Sequence, residues 1–481
     1  MTYDEAISYW YDRIDFERRS PKTGDLKLDR MRGVLRLLGD PHRRFRIVHI
    51  AGTKGKGSTS AMLASVLSAA GYRVGLFTSP HLADVRERIQ VNGAAISHEE
   101  LAARMGEIAA AIEPLERSGD PLKIPTFFEI GTALGFLHFD CRRVDVAVVE
   151  VGLGGRFDST NVCRPILSLI TNISFDHMAA LGDRISLIAR EKAGIIKPRC
   201  PVITTAEASE ALAVFEQIAA QRHSPLTAIG RDFRFDYEPG KLLPPHEMNG
   251  VKSSTIKQTN LRQSVVGSHL PRVHVVTKQS QWPWLELALS GKHQAANAAG
   301  VVVAVEHLRK QGFVIEKLAV ARGLANVQWP ARLEVVGTWP LVILDCAHNV
   351  ASAQALIDTI DDSFAVAGKK RLVFAISNDK QVSEMLQLLG SKFARFYLTR
   401  YANNPRCMPP EQIAELLRRT HPAAGISIHQ HADEALASAT AAAGVNDLIA
   451  ITGSVFLAGE LRSKIVQAPF RSCCPTDTSV S

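Results

Sequence analysis

The sequence predicts a two-domain α/β protein whose larger part is built on a mostly parallel sheet. Three observations carry that prediction. Apolar, β-branched runs alternate with segments of helical spacing between residues 45 and 174. A glycine- and lysine-rich stretch, HIAGTKGKGSTSAML at residues 49–63, joins the first run to the first such helix. A second alternating series begins near Leu341, after a polar interval. Runs that are apolar on both faces suit parallel strands covered by helices.

Taken in order, FRIVHIA (45–51) reads as a buried strand. Residues 58–70 read as a helix with Met62, Leu63, Val66 and Leu67 on one face. RVGLFTS (73–79) is the next strand, and Ser97-His-Glu-Glu100 is a capping box opening a helix to about Ile112. Residues 125–139 look helical, with a proline in the first turn. VDVAVVEVG (144–152) and ILSLITNIS (166–174) are strongly apolar strands. Residues 231–281 break this rhythm. They are polar and punctuated by proline, glycine and serine, and predict a β-rich excursion with long loops. From LVILDCA (341–347) the series resumes through RLVFAIS, RFYLTR and LIAITGS. The expected boundaries are a first domain over 1–328, a linker over 329–340, a second domain over 341–468 and a disordered tail over 469–481. Pro330 marks the hinge.

The bulk properties narrow the class. With 481 residues and 46% hydrophobic composition the chain can build two or three real cores. No apolar run reaches the ~18–20 residues needed to span a bilayer, and the charged, aromatic start has no signal-peptide core. A cytoplasmic protein with reduced thiols is expected, since its seven cysteines show no metal-ligand spacing apart from the Cys473-Cys474 pair in the tail. The net charge of +8 arises from dispersed basic pairs without interleaved aromatics. That pattern argues against nucleic acid and suits small anionic partners. A monomer is expected.

Strand, then Gly52-Thr53-Lys54-Gly55-Lys56-Gly57-Ser58, then helix is the context a phosphate-binding loop requires. Backbone N–H groups and the helix N-terminus would face the anion, and Lys56 would reach the outer phosphate oxygens. Three adjacent strand ends are expected to carry chemistry toward the loop: Ser79 in TSPHL, Glu150 in EVGLGGRFDSTN and His177 in TNISFDH. Ligands of open α/β sheets sit at such ends, and oxygen donors suit Mg²⁺ bridging nucleotide phosphates. Alone, His177 would pass as a capping or packing histidine; its company gives it the metal role.

Together, GTKGKGS, SPHL, EVGLGGRFDSTN, FDH, IAREKAGIIKP, KHQAANA, PARLE, LDCAHN, NDKQ and ITGSVFLAGELR resemble the folylpolyglutamate synthase/dihydrofolate synthase family of Mur-ligase-like ATP-dependent amide ligases. The resemblance runs in order over about residues 27–465 and fails mainly over 231–281. It implies a P-loop-containing Mur-ligase-like ATPase domain joined to a Rossmann-like glutamate-ligase domain, with the active site in the cleft between them. ATP would convert a pterin-linked carboxylate to an acyl phosphate, which the glutamate amine then attacks. Both steps move negative charge, so cations and N–H donors should dominate the catalysis.

Residue by residue, the resemblance implies that Gly52, Thr53, Lys54, Gly55, Lys56, Gly57 and Ser58 hold the triphosphate, and that Ser79, Glu150 and His177 bind one Mg²⁺. Lys192 matches a lysine that is carbamylated in the family, which would provide oxygens for a second Mg²⁺. Asn297, Arg332 and Asp345 match nucleotide contacts. Thr126, Phe127, Phe128 and Glu129, with Phe157, Asp158 and Ser159, match segments near the pterin. His348 and Ser454 match the glutamate side. The RFDSTN motif resembles the dual-function members, which implies use of both dihydropteroate and reduced folates. The chain departs from the family at Lys54 (usually Asn), at Cys346 and Val350 around AHN, and in NDKQ, which lacks a second aspartate.

Overall fold

The computed structural model describes residues 1–15, 28–117, 123–242, 269–338, 340–402 and 404–467. The core of the 231–281 excursion and the 469–481 tail lie outside them. The chain divides into two compact units. The first comprises residues 1–237, 272–288 and 293–329, and the second residues 238–271, 289–292 and 330–481.

The first unit is organised by an eight-stranded sheet. Its strands are β1 (Arg46–Ala51), β2 (Val74–Phe77), β3 (Ile89–Val91), β4 (Ala94–Ala95), β5 (Val146–Glu150), β6 (Leu167–Ile170), β7 (Val202–Thr204) and β8 (Leu226–Ala228). Their spatial order is β4-β3-β2-β5-β1-β6-β7-β8. From β2 to β8 every neighbouring pair is parallel, and β3 and β4 form an antiparallel edge. All of β2, β5, β6 and β7 is buried, as is β1 beyond Arg46, which is why these segments read as unbroken apolar runs.

The sequence reading treats the ends of β2, β5 and β6 as neighbours, but β1 lies between β5 and β6. The strand that feeds the glycine-rich loop therefore sits at the centre. Glu150 ends the strand on one side of it, and the segment leading to His177 leaves the strand on the other.

Helices cover the sheet. The 97–100 capping box is present, with the Glu100 amide donating to Ser97 Oγ at 3.1 Å and the Ser97 amide to Glu100 Oε2 at 3.2 Å. It opens the helix His98–Arg117. The helix Lys56–Ala69 packs against the helix Lys317–Asn326. At that crossing a Cβ on Gly323 would lie 2.5 Å from Val66 Cα, and Ser65 Oγ donates to the Gly323 carbonyl at 2.8 Å. The neighbour there is backbone and cannot rotate away. Gly323→Ala should therefore lower stability by about 2–3 kcal/mol through overpacking. Thermal denaturation checks this, and an unchanged midpoint would contradict it.

A three-stranded sheet holds the described ends of the excursion. β9 (Phe233–Glu238), β10 (Arg272–Thr277) and β11 (Leu285–Glu286) lie in the order β11-β10-β9. The second unit has a six-stranded sheet of β12 (Glu334–Thr338), β13 (Leu341–Leu344), β14 (Lys370–Phe374), β15 (Arg395–Leu398), β16 (Gly425–Ile428) and β17 (Leu448–Thr452). Their order is β12-β13-β17-β14-β15-β16, parallel apart from β12. Its core includes Ile343, Leu356, Leu372, Phe374, Phe396, Leu417 and Ala450. Among the described residues no helix is long and apolar enough to cross a membrane, and Cys141, Cys163, Cys200, Cys346 and Cys407 are free thiols.

Candidate active site

The glycine-rich loop follows β1 directly. Gly55 takes φ +88° as the residue before the helix Lys56–Ala69, and no side chain caps that helix. Its first-turn N–H groups and positive dipole end therefore suit an anion. Gly55 is required twice over, because a Cβ there would also sit 2.4 Å from Asn297 Oδ1. That proximity brings Asn297, from the helix Lys292–Lys310, against the loop. Gly52 lies against Thr171, Gly57 against the Trp329 ring, and Ser58 is buried. Trp329 Nε1 is a buried donor without a hydrogen-bond partner, beside a loop suited to an anion.

The loop is stitched to the segment after β6. The Thr53 amide donates to the Asn172 carbonyl at 2.8 Å, and Thr53 Oγ1 donates to the Ser174 carbonyl at 3.2 Å. Thr171 Oγ1 donates to the Lys54 carbonyl at 2.7 Å. The two lysines differ. Lys54 Nζ pairs with Asp176 at 2.8 Å, whereas Lys56 holds the first helical position, half-buried. Asp176 Oδ1 also accepts the His177 amide at 3.0 Å. His177 itself has φ +50° and a side chain 43% exposed, with Nε2 3.9 Å from Asp176. Glu150 is buried and accepts the Ser79 amide at 3.2 Å. The structure thus places Ser79 beside Glu150, and His177 at the end of the segment stitched to the loop.

Lys192 ends the helix Ile185–Lys192 and is 4% exposed. Its Nζ donates to the Gly52 carbonyl at 2.8 Å, so it sits directly under the phosphate loop. Burial first, and the positive charges of Lys56 and Lys54 after it, push its ammonium down to about 7, against the pull of Asp176 and Asp158. Glu191-Lys192 taken alone has the pattern of a charged helix face, yet the fold buries Lys192. The GLGG turn fits against this helix end. The Arg156 amide donates to the Glu191 carbonyl at 2.8 Å, and a Cβ on Gly155 would come within 2.9 Å of that same oxygen.

Asp158 caps the 3₁₀ turn Ser159–Val162. It accepts from the Leu153 amide at 2.9 Å and from the Thr160 amide and hydroxyl at 3.0 and 2.5 Å, while burial pushes its carboxyl up. Thr160 Oγ1 in turn lies 2.8 Å from Nε2 of His49 in the core of β1, which burial holds neutral with a pKa of about 3. Ser159 Oγ pairs with Thr132 at 2.6 Å. Thr126 and Glu129 form a capping box at the start of the helix Phe127–Cys141, and Glu129 also pairs with Arg30 at 2.5 Å. Phe127 is buried and stacks on Trp10 at 5.1 Å. Of the seven residues matched to the pterin side, Phe157 is the exposed one, its ring under the Arg156 guanidinium at 4.9 Å, while Phe128 packs against Gly152.

In the second unit the carboxylate of Asp345 accepts the Leu333 amide at 3.0 Å and the Ala347 amide at 2.8 Å. Burial pushes its carboxyl up and the adjacent Arg332 opposes that. His348 Nδ1 lies 2.8 Å from the Cys346 carbonyl. A carbonyl only accepts, so Nδ1 carries the proton and Nε2 is the acceptor of the neutral ring. Asn349 caps the helix Val350–Ser363. Ser454 is buried, accepts the Phe456 amide at 3.1 Å and bonds to Tyr401, whose hydroxyl also pairs with Ser377 at 2.6 Å. A cavity of about 540 Å³ beside Tyr401 is lined by Arg400, Asn404, Gln430, His431 and Glu460 among others.

The Ser79 hydroxyl and the buried Glu150 carboxylate are oxygen donors of the kind Mg²⁺ takes. Among the described residues no group of three or more His, Cys, Asp or Glu side chains is placed to hold a metal ion. Sequence reading missed two contributors to the second unit, Glu334 and Arg462. Both lie within motifs that were read, yet no spacing rule pairs residues 128 positions apart.

Known proteins resemble this chain over nearly its whole length. The model of the Mur ligase middle domain matches residues 50–305, and that of the Mur ligase glutamate ligase domain matches residues 331–455. The dihydrofolate synthase/folylpolyglutamate synthase of Bacillus subtilis is 34% identical over 465 residues, covering 96% of this chain and 99% of that protein. The folylpolyglutamate synthase of Lacticaseibacillus casei is 32% identical over 471 residues, covering 97% and 99%. Among solved structures, Mycobacterium tuberculosis folylpolyglutamate synthase complexed with ADP and AMPPCP superposes with a TM-score of 0.82 at 29% identity, covering 96% of this chain and 97% of that one. E. coli FolC in complex with DHPP and ADP gives 0.79 at 27% identity, covering 97% and 98%. The chain therefore belongs to the Mur ligase family of ATP-dependent ligases, in its folylpolyglutamate synthase/dihydrofolate synthase branch.

Proposed function

We infer that this protein joins L-glutamate to the carboxylate of a pterin-linked acid, with ATP as the energy source, and that it accepts both dihydropteroate and reduced folates. The observation that carries the reading is the uncapped helix N-terminus behind Gly55, with Lys56 in its first turn. That arrangement concentrates positive charge and N–H donors where a triphosphate's charge must be held.

A carboxylate is a poor acyl donor because its leaving group would be oxide. Phosphoryl transfer from ATP to one carboxylate oxygen makes an acyl phosphate and ADP, and attack by the glutamate nitrogen on the acyl carbon then releases phosphate. In this reading Lys56 and the loop amides stabilise the charge that passes between phosphates. Asn297 and Arg332 contact the nucleotide. Asp345, whose oxygens are engaged by backbone amides, shapes the turn that carries Arg332. Ser79, Glu150 and His177 would hold one Mg²⁺ and a carbamylated Lys192 a second; when bound, these ions screen the phosphate oxygens and orient them. His348 Nε2, made an acceptor by the Nδ1–H bond to Cys346, is suited to take the proton the glutamate ammonium must lose. Ser454 orients the amino acid, and Phe157 and Phe128 offer apolar surface to the pterin.

The test is phosphate release with ATP, Mg²⁺ and glutamate, run separately with dihydropteroate and with tetrahydrofolate. Release that depends on glutamate is expected with both. No glutamate-dependent release with either acid overturns the ligase reading. Release with tetrahydrofolate alone overturns the dual specificity.

A further inference from the structure

We propose that the ion pair between Glu334 and Arg462 is a positioning device, which holds a doubly left-handed turn so that Arg332 is presented to the nucleotide. The proposal rests on the reading of Arg332 as a nucleotide contact.

Arg332 sits between two non-glycine residues in left-handed backbone, Ala331 at φ +54° and Leu333 at φ +48°. Side chains with a Cβ avoid this region, and two such residues flanking a third persist only where the surroundings impose them. The imposing contacts are visible. The Ala331 amide donates to Glu334 Oε2 at 2.8 Å, and the Leu333 amide donates to Asp345 Oδ2 at 3.0 Å. Both residues are buried, so neither amide can turn to water instead. Asp345 is itself fixed by the Ala347 amide at 2.8 Å.

Glu334, the first residue of β12, needs an equivalent anchor, and Arg462 supplies it. From the helix Val455–Gln467 its Nε donates to Glu334 Oε2 at 2.9 Å and Oε1 at 3.2 Å, and its Nη2 donates to Oε1 at 2.9 Å. A two-point grip of this kind fixes the plane of the carboxylate as well as its place. The grip therefore runs from the helix through Glu334 to the Ala331 amide, one residue from Arg332. Arg332 Nη1 donates to the Ala331 carbonyl at 2.9 Å, so the same strained residue also meets the guanidinium. A bond needed only to join strand to helix would not require the carboxylate's other contact to be a left-handed residue's amide.

The experiment is calorimetric titration of the full-length protein with AMPPCP and Mg²⁺, beside steady-state kinetics and thermal denaturation, on four variants. Glu334→Gln and the milder Arg462→Lys should each weaken AMPPCP binding, the former by about tenfold. The KM for ATP should rise in parallel, with kcat at saturating ATP changed by less than about threefold. Adding Ala331→Gly to Glu334→Gln should recover most of that affinity, because glycine takes the left-handed conformation without help. Arg332→Ala should weaken AMPPCP at least as much as Glu334→Gln. Unchanged nucleotide affinity in Glu334→Gln and Arg462→Lys, with only the melting temperature lowered, overturns the positioning role while leaving the Arg332 reading intact if Arg332→Ala still binds weakly. Unchanged affinity in Arg332→Ala overturns that underlying reading. Failure of Ala331→Gly to restore binding overturns the strain argument.

Discussion

Replacing Lys192 by alanine is expected to lower ligase turnover by about 10²- to 10³-fold, the loss typical of removing one preorganised charge-stabilising group. Lys192 is nearly fully buried, bonds to the Gly52 carbonyl and is pushed down to about 7 by burial and by Lys56. A lysine in that state has a substantial neutral fraction near pH 7, and a neutral amine adds CO₂ to give a carbamate with loss of one proton. An ammonium would repel Mg²⁺, whereas a carbamate, as the proposed function has it, would supply two oxygens. Turnover of Lys192→Ala should accordingly recover in part when a short carboxylate such as formate or acetate is added, because the acid can occupy the vacated space. The alternative, a lysine that serves only as a hydrogen-bond donor to Gly52, predicts no such rescue. Near-normal turnover in Lys192→Ala would remove the carbamate from the mechanism.

Lys56→Ala should cost about 10²-fold or more in kcat, whereas Lys54→Ala should stay within about fivefold of the parent. The two residues differ by position and partner. Lys56 is in the first turn of the helix, whose N-terminus no side chain caps. Lys54 pairs with Asp176 at 2.8 Å and is partly exposed, so its loss forfeits an ion pair of modest worth. Asp176 would still hold the His177 amide. Parallel measurement of kcat and of the KM for ATP in the two variants decides this. Equal losses would mean that phosphate is held by the ion-paired lysine as well.

Much of this was legible in the amino-acid order. The strands around residues 46–51, 146–150 and 167–170 were readable because a parallel strand buried on both faces must be apolar throughout. The capping box at Ser97 and the glycine-rich loop were readable because each satisfies a local need within a few residues: a helix's orphan N–H groups, or a left-handed turn at Gly55. Catalytic candidates followed where motif and strand end coincided, as at Glu150.

Tertiary structure decided the rest. That β1 lies between β5 and β6 is a matter of long-range pairing, to which each strand's own residues are nearly indifferent. Thr126, Glu129 and Asp158, matched to the substrate side, are engaged in caps and an ion pair, because their partners come from elsewhere in the fold or from the local turn. Lys192 shows the division most plainly. Its sequence, Glu-Lys on a helix, is that of a solvated face, and only the packing of that helix end beneath the phosphate loop removes its water. The same holds for Glu334 and Arg462, whose meeting depends on β12 and the last helix being folded side by side. Periodicity and turn chemistry act over a few residues and are written in the chain; desolvation and charge pairing depend on which distant segments close around a group, and so belong to the folded state alone.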